Sequence, residues 1–195
     1  MTFLSFAGCE FSRIIINKID MKNQYRFFIN TSDIKGDLFT SQDRALANQL
    51  KNVLRLKVGA NIVVLDGTGF EYIVQIKSLA RDGVEAVIVS KEKKDLGSFR
   101  LRLFCSLLKG DHLEMVLEKC TELGVTDFFL VAFDNSVVKE LNDSRLGRYK
   151  KIIKEASEQS GRTVLPNITR PLSFEEAVGL ARKELCLVAD ISAEK

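Results

Sequence analysis

The sequence has little of what metal-binding proteins use. Its four cysteines, Cys9, Cys105, Cys120 and Cys186, lie far apart and form no C-x-x-C pair. The single histidine, His112, has no cysteine at ligand spacing. We therefore predict no metal site and interpret the cysteines as small apolar side chains in a reducing compartment.

Long apolar runs are also missing. No stretch approaches the roughly 18 apolar residues that cross a bilayer. The apolar segment from Phe3 to Ala7 is shorter than the core of a signal peptide. These absences predict a soluble, cytoplasmic protein with no membrane partner.

Charge is nearly balanced. The chain of 195 residues has 29 basic and 26 acidic side chains, a formal net charge of +3. Non-specific attraction to phosphate is therefore weak unless the charges cluster. With 46% hydrophobic and 28% charged residues, the composition is that of a globular protein with one or two small domains.

Residues 1–20 follow neither a helical nor a strand pattern, and Met21 begins a more regular sequence. We interpret residues 1–20 as an extension that arises from an over-extended translation start. An extra strand through Ile14 to Ile16 and a disordered arm are the alternatives. No function is assigned to this segment.

A small barrel is predicted over residues 21–92. One strand and one helix precede three strand-like runs, which are separated by the turn pairs Asp66-Gly67 and Asp82-Gly83 and so form an antiparallel meander. The predicted elements are a strand at 26–30, a polar turn at 31–36, a helix at 41–54 and strands at 61–66, 70–78 and 84–90. A charged stretch at 93–98 is predicted to be the linker to a second domain.

Strands and helices alternate in the second predicted domain, residues 99–195. Such alternation predicts an α/β domain with a parallel sheet. The predicted strands are 100–107, 127–132 and 185–189, and the predicted helices are 111–123, 143–159 and 173–184. Asp111 with Glu114, and Ser173 with Glu176, have the spacing of capping boxes.

Four segments in this order resemble the small-subunit ribosomal RNA uridine N3-methyltransferases, the methyltransferase E family. They are Arg26-Phe27-Phe28, Asn52 to Gly59, Leu108-Lys109-Gly110-Asp111 with Glu118 to Val125, and Glu155 to Arg162. The resemblance implies an N-terminal PUA-like barrel that grips RNA and a C-terminal SPOUT-type α/β domain with a knot that holds S-adenosylmethionine. It further implies methylation of a uridine in 16S ribosomal RNA by a homodimer.

Two departures from the family pattern qualify this expectation. Asn48-Gln49 stands where the family usually has a histidine pair. The family's Pro-Glu-Gly-Gly loop and the motifs after it do not occur before Lys195, so we expect the cofactor-binding residues beyond Lys195 and an incomplete knot in this sequence. The alternative is therefore a truncated, catalytically inactive RNA-binding remnant.

The resemblance also selects candidate site residues. Arg162 and Lys109 are predicted to be catalytic, as cations that stabilise the uridine imide anion. The predicted RNA-binding residues are Arg26, Arg55, Lys119, Glu122 and Gln159, with arginines binding phosphates and the Gln159 amide addressing a base edge or the dimer seam. The alternatives are solvated or salt-bridged surface positions for Arg26 and Arg55 and an ordinary turn at Lys109. For the others they are a solvated helix face at Lys119 and Glu122, and subunit packing at Gln159 and Arg162. His112 is not assigned as a base, because no carboxylate is predicted to orient it.

Overall fold

The computed structural model describes residues 25–94, 97, 99–133, 140–182 and 185–189, and these form two sheets with their helices. The predicted extension 1–20 lies outside the described residues. The first unit contains β1 Arg26–Phe28, a 3-10 turn Thr31–Asp33, β2 Ile34–Lys35, β3 Leu38–Ser41, α1 Arg44–Asn48, a π-helical turn Gln49–Val53, β4 Asn61–Leu65, β5 Phe70–Leu79 and β6 Val84–Lys93. The second contains β7 Leu101–Ser106, α2 His112–Glu122, β8 Val125–Ala132, α3 Asp143–Ser160, β9 Asn167–Ile168, β10 Leu172–Ser173 and α4 Phe174–Ala181.

The first sheet has six strands in the order β1-β4-β5-β6-β3-β2. Strands β4, β5 and β6 pair antiparallel, which confirms the predicted meander. β1 pairs parallel with β4. The centre of this sheet is buried on both faces, because Ile62 and Val64 enter one cluster and Val63 and Leu65 another.

The helix predicted at 41–54 is shorter and less regular than expected. Ser41 still belongs to β3, and α1 begins after Asp43, whose carboxylate accepts hydrogen bonds from the backbone N–H groups of Ala45 (2.8 Å) and Leu46 (3.3 Å). The chain then widens into the π turn, closed by the 2.9 Å bond from Leu54 N–H to the Gln49 carbonyl.

The β2–β3 hairpin was not predicted. Residues 31–36 are predicted to be a polar turn, because the strand Ile34–Lys35 has only two residues and is followed directly by Gly36. Gly36 has φ 58°, a left-handed conformation that glycine adopts without steric cost. In β3 the burial alternates, with Phe39 and Ser41 inside, as one strand face against a core requires.

The second sheet is parallel, as predicted, with β8 between β7 and the short strands β9 and β10. Helices α2 and α3 pack on one face, where Leu113, Leu117, Phe128, Tyr149 and Ile153 form the core. On the opposite face the Phe104 and Phe129 rings stack at 4.7 Å and both remain partly exposed.

Two local predictions in this unit are wrong. Asp111 precedes α2 but has helical backbone angles (φ −87°, ψ 0°) and makes no capping bond, while Glu114 pairs with Arg148 at 2.7 Å. Residues 185–189 form no strand; Leu185 is 91% exposed and pairs with no described strand. The capping box of Ser173 and Glu176 is confirmed.

Strand β6 runs into the predicted linker 93–98, and the Lys94 N–H donates to the Gly69 carbonyl at 3.0 Å. The first sheet therefore ends later than residue 92. Within the described ranges, no helix is both long and apolar enough to span a membrane.

Candidate functional site

Arg162 connects the end of α3 to the end of α2. Both parallel strands β7 and β8 begin at the same edge of the second sheet, which we call the amino edge; α2 and α3 end there. One guanidinium nitrogen of Arg162 donates to the carbonyls of Thr121 (2.9 Å) and Val125 (2.7 Å). Burial lowers the pKa of Arg162. Its position is thus fixed by main-chain contacts, and its catalytic role stays a prediction.

Glu158, one turn before Arg162, joins the two units. Its Oε1 accepts a 2.8 Å hydrogen bond from the backbone N–H of Phe28 in β1. Burial raises the pKa of Glu158, although the Phe28 bond and the nearby Lys154, 3.9 Å away, oppose the shift. Glu158 is not among the site residues predicted from the sequence, because its partner is a main-chain group that no side-chain pattern reveals.

Arg26 approaches the same end of α3. Its Nε lies 3.9 Å from Glu71 Oε2, and a Cβ added to Gly161 would lie 3.9 Å from it. This Nε is buried and has no hydrogen-bond partner among the described residues. Gln159, two residues before Gly161, is exposed. The structure therefore places Arg26 beside the end of α3, the segment of the chain that also carries Gln159 and Arg162.

Lys119 and Glu122, near the end of α2, lie toward the same edge. Lys119 Nζ donates to Glu118 at 2.7 Å and to Glu122 at 3.0 Å, and these hydrogen bonds raise the pKa of Lys119. All three side chains are exposed, so the pairs contribute little to stability. Their carboxylates also offset the attraction of Lys119 for phosphate.

Lys109 lies at the opposite edge of the sheet. It follows the carboxyl end of β7, is exposed, and precedes Gly110, which has φ 66°. The six residues of β7 separate the two edges by roughly 20 Å at about 3.3 Å per residue. One chain therefore does not bring the predicted catalytic residues Lys109 and Arg162 together.

Arg55 belongs to the first unit, on the loop between the π turn and β4. It is exposed and has a φ of 54°. Among the described residues, every other one with a positive φ is a glycine. Left-handed arginine is uncommon, and such backbone conformations concentrate at functional positions. Its predicted RNA contact stays a prediction.

A cleft of about 340 Å³ lies between the two units. Phe28, Asp43 and Asp66 line it from the first unit, and Lys154 and Leu165 from the second. Burial raises the pKa of Asp66, but hydrogen bonds from Thr68 and Tyr72 outweigh burial and lower it overall. The cleft is therefore polar and its buried carboxylate is already satisfied.

In open α/β sheets, ligands usually bind outside the carboxyl ends of the strands. The carboxyl edge of the second sheet carries Lys109 and the Phe133 and Phe174 rings, which lie 5.6 Å apart and are exposed to solvent. We assign none of these residues to a cofactor. Among the described residues, no group of three or more His, Cys, Asp or Glu side chains has the arrangement of a metal site.

Both units match known family models. A model described as an RNA methyltransferase domain matches residues 96–195, and one described as an RNA methyltransferase PUA domain matches residues 47–89. The chain belongs to this RNA methyltransferase family. The predicted fold class, a PUA-like barrel followed by a SPOUT-type α/β domain, is confirmed by these matches and by the two observed sheets.

Curated relatives of this RNA methyltransferase chain carry a more specific name. The chain is 34% identical over 134 residues to ribosomal RNA small subunit methyltransferase E of Synechocystis, and the match covers 69% of this chain and 44% of that protein. It is 32% identical over 149 residues to the protein of the same name from Bacillus subtilis, covering 73% and 57%. The chain thus spans about half the length of these relatives.

A solved structure agrees with the sequence matches. The ribosomal RNA small subunit methyltransferase E of Neisseria gonorrhoeae, bound to S-adenosyl methionine, superposes with a TM-score of 0.72 at 29% identity. The match covers 80% of this chain and 65% of that one.

Proposed function

We propose that this chain methylates N3 of a uridine in small-subunit ribosomal RNA, with S-adenosylmethionine as the methyl donor. The matches to both family models, in the same order as the two sheets, support the reaction class. The names of the relatives support the substrate, and the cofactor bound to the Neisseria gonorrhoeae protein supports the donor. Because its substrate is ribosomal RNA, the proposed site of action is the bacterial cytoplasm.

The observation that carries this proposal is the arrangement at the end of α3. Arg26 of the first sheet lies beside Gly161, which ends α3 and precedes Arg162, and Glu158 fixes this junction through the Phe28 N–H. The Nε of Arg26 is buried beside Glu71, but the side chain as a whole is partly exposed, and its terminal nitrogens are donors suited to a phosphate or base oxygen. We propose that RNA lies across both units at this junction.

A homodimer is part of the proposal. Lys109 and Arg162 lie at opposite edges of one sheet, so one chain cannot present both to a single uridine. Two chains that place the carboxyl edge of one beside the amino edge of the other would do so. Sedimentation of the purified chain tests this point. A chain that sediments as a monomer and transfers methyl groups as fast as a dimeric sample would contradict it.

The reaction is tested with the 195-residue chain and unmodified 16S ribosomal RNA transcribed in vitro. The RNA is incubated with S-adenosylmethionine whose methyl group carries deuterium, then digested and examined by mass spectrometry. We expect labelled 3-methyluridine at one position. RNA binding without label in any nucleoside would reject methyl transfer and favour an RNA-binding function for this chain.

A further inference from the structure

A second recess lies wholly on the first unit. It is an open groove of about 920 Å³ between the helical segment and the turn that joins β5 to β6. We call it the basic groove. Its lining residues are Arg44, Ala47, Asn48, Lys51, Asn52, Ala80, Arg81 and Asp82.

The cations of the basic groove are unpaired. Arg44, Lys51 and Arg81 are exposed and form no ion pair or side-chain hydrogen bond within the described ranges, and Asp82 is the acidic residue in the lining. In the second unit, by contrast, Arg148 pairs with Glu114. Three free cations against one carboxylate make the groove attractive to anions.

The wall from the helix has an uncommon backbone. Asn48 ends α1, and Lys51 and Asn52 lie on the π turn, a conformation that is rare and frequent at functional sites. The Asn52 amide donates to the Asn48 side-chain oxygen at 2.6 Å. Each of the two amides keeps further polar capacity that faces solvent.

The opposite wall is held by a close backbone contact. A Cβ on Gly83 would lie 2.6 Å from the Ser41 carbonyl, so the turn at 80–83 sits directly against the residues before α1. Since Ser41 lies in β3 and is buried, this contact fixes Arg81 relative to Arg44. The groove is thus built by ordered backbone, although its cations are long side chains.

We propose that the basic groove binds the sugar–phosphate backbone of the RNA, with Arg44, Lys51 and Arg81 contacting phosphates. The inference rests on the proposed function only in taking RNA as the substrate. Cations and amides are the groups that contact phosphate and sugar without reading sequence. The lining offers no aromatic or large apolar side chain of the kind that anchors protein partners, which favours a polyanion over an acidic protein.

The test is the salt dependence of RNA binding by the full chain. The probe is unmodified 16S ribosomal RNA transcribed in vitro, with affinity measured from 50 to 300 mM KCl. Each phosphate contact contributes about 0.7 to the slope of log affinity against log salt for single strands, which is about fivefold in affinity at 0.1 M salt. We expect the triple variant Arg44→Gln, Lys51→Gln, Arg81→Gln to lower the slope by about 2 and the affinity about 100-fold.

Two matched variants separate the groove from general charge. Lys35→Gln, Lys150→Gln, Arg182→Gln removes the same charge from exposed positions outside the groove and should change the slope by much less. Arg44→Lys with Arg81→Lys keeps the charge and should keep the slope. All variants alter exposed side chains, so their melting temperatures should match that of the unaltered chain.

The outcomes distinguish this proposal from the proposed reaction. RNA binding with the expected loss of slope, but without 3-methyluridine, would support the groove and reject the reaction. Methylation by the unaltered chain with equal slopes for the groove variant and the matched charge control would reject the groove and keep the reaction. If the unaltered chain does not bind the RNA, the groove assignment is overturned.

Discussion

The two sheets bury their central strands differently. In β4 of the first unit, consecutive residues from Ile62 to Leu65 are all fully buried, so both faces are covered. In β8 of the second unit, Phe128 and Leu130 are buried against α2 and α3, whereas Phe129 on the other face stays partly exposed. The central strand of the first unit is therefore covered on both faces, whereas β8 is covered fully on the face of α2 and α3 and only in part on the other, where Val131 is buried and Phe129 is not.

The largest effects are expected from matched leucine truncations in the two cores. Leu50 and Leu117 are both fully buried. Leu50→Ala in the first unit and Leu117→Ala in the second should each cost about 3 kcal/mol of unfolding free energy. Because the cores are separate clusters, hydrogen exchange should show lost protection mainly in the altered unit. Equal loss in both units would show that the cores unfold as one.

Arg162 is expected to have the next largest effect. Arg162→Met removes two charge-assisted hydrogen bonds to carbonyls and should destabilise the second unit by about 2 kcal/mol, measured by urea unfolding. Arg162→Lys keeps the charge but not the geometry, and should recover only part of the loss. Unchanged stability in both variants would show that Arg162 is free for substrate.

The Tyr72–Asp66 hydrogen bond gives a smaller effect in the first unit. Tyr72→Phe removes a buried 2.9 Å bond and should cost about 1 kcal/mol. Burial, together with Asp66, raises the pKa of Tyr72 from 10.0 to about 12. The stability that this neutral phenol contributes is therefore present below pH 10 and lost as the pH rises through about 12. Thermal melts over this range should show that loss in the unaltered chain and less of it in the phenylalanine variant.

The smallest effect concerns the junction between the units. Glu158→Ala leaves the Phe28 N–H without its partner and should cost about 1 kcal/mol, whereas Glu158→Gln keeps an acceptor oxygen and should cost less. Burial raises the pKa of Glu158, so the stability linked to its protonated form is present below about pH 4.5 and is lost as the pH rises through the folded pKa, while the ionised carboxylate still accepts the Phe28 bond. Glu158→Gln should remove that pH dependence. An unaltered pH profile would show that the carboxylate is solvated in solution.

The regular elements were predictable because their signals are local. The turn pairs Asp66-Gly67 and Asp82-Gly83 mark the meander, and the stripe of Tyr149, Ile153 and Ala156 marks α3. The capping box predicted for Asp111 and Glu114 is wrong, because a residue distant in the sequence binds one of its side chains. Glu114 has capping-box spacing, yet the distant Arg148 engages its carboxylate.

The candidate site was less predictable than the fold. Arg26, Gln159 and Arg162 were selected from motifs, and the structure places Arg26 beside Gly161 at the end of α3. The separation of Lys109 from Arg162 follows from strand direction and is invisible in a motif. The cations of the basic groove were also missed. Arg44 and Lys51 are seven residues apart on a helical segment, but Arg81 joins them only through the Gly83 contact with Ser41.

The hydrogen bond between Phe28 and Glu158 depends on the residue type at only one of its two ends. The donor belongs to the peptide backbone, so every residue at position 28 except proline supplies it. The acceptor depends on one side chain. A saturation scan should therefore find that tolerance at position 28 follows the volume of the buried ring, while only position 158 controls the connection itself. Mutations that loosen the junction should accumulate on the helix rather than on the strand.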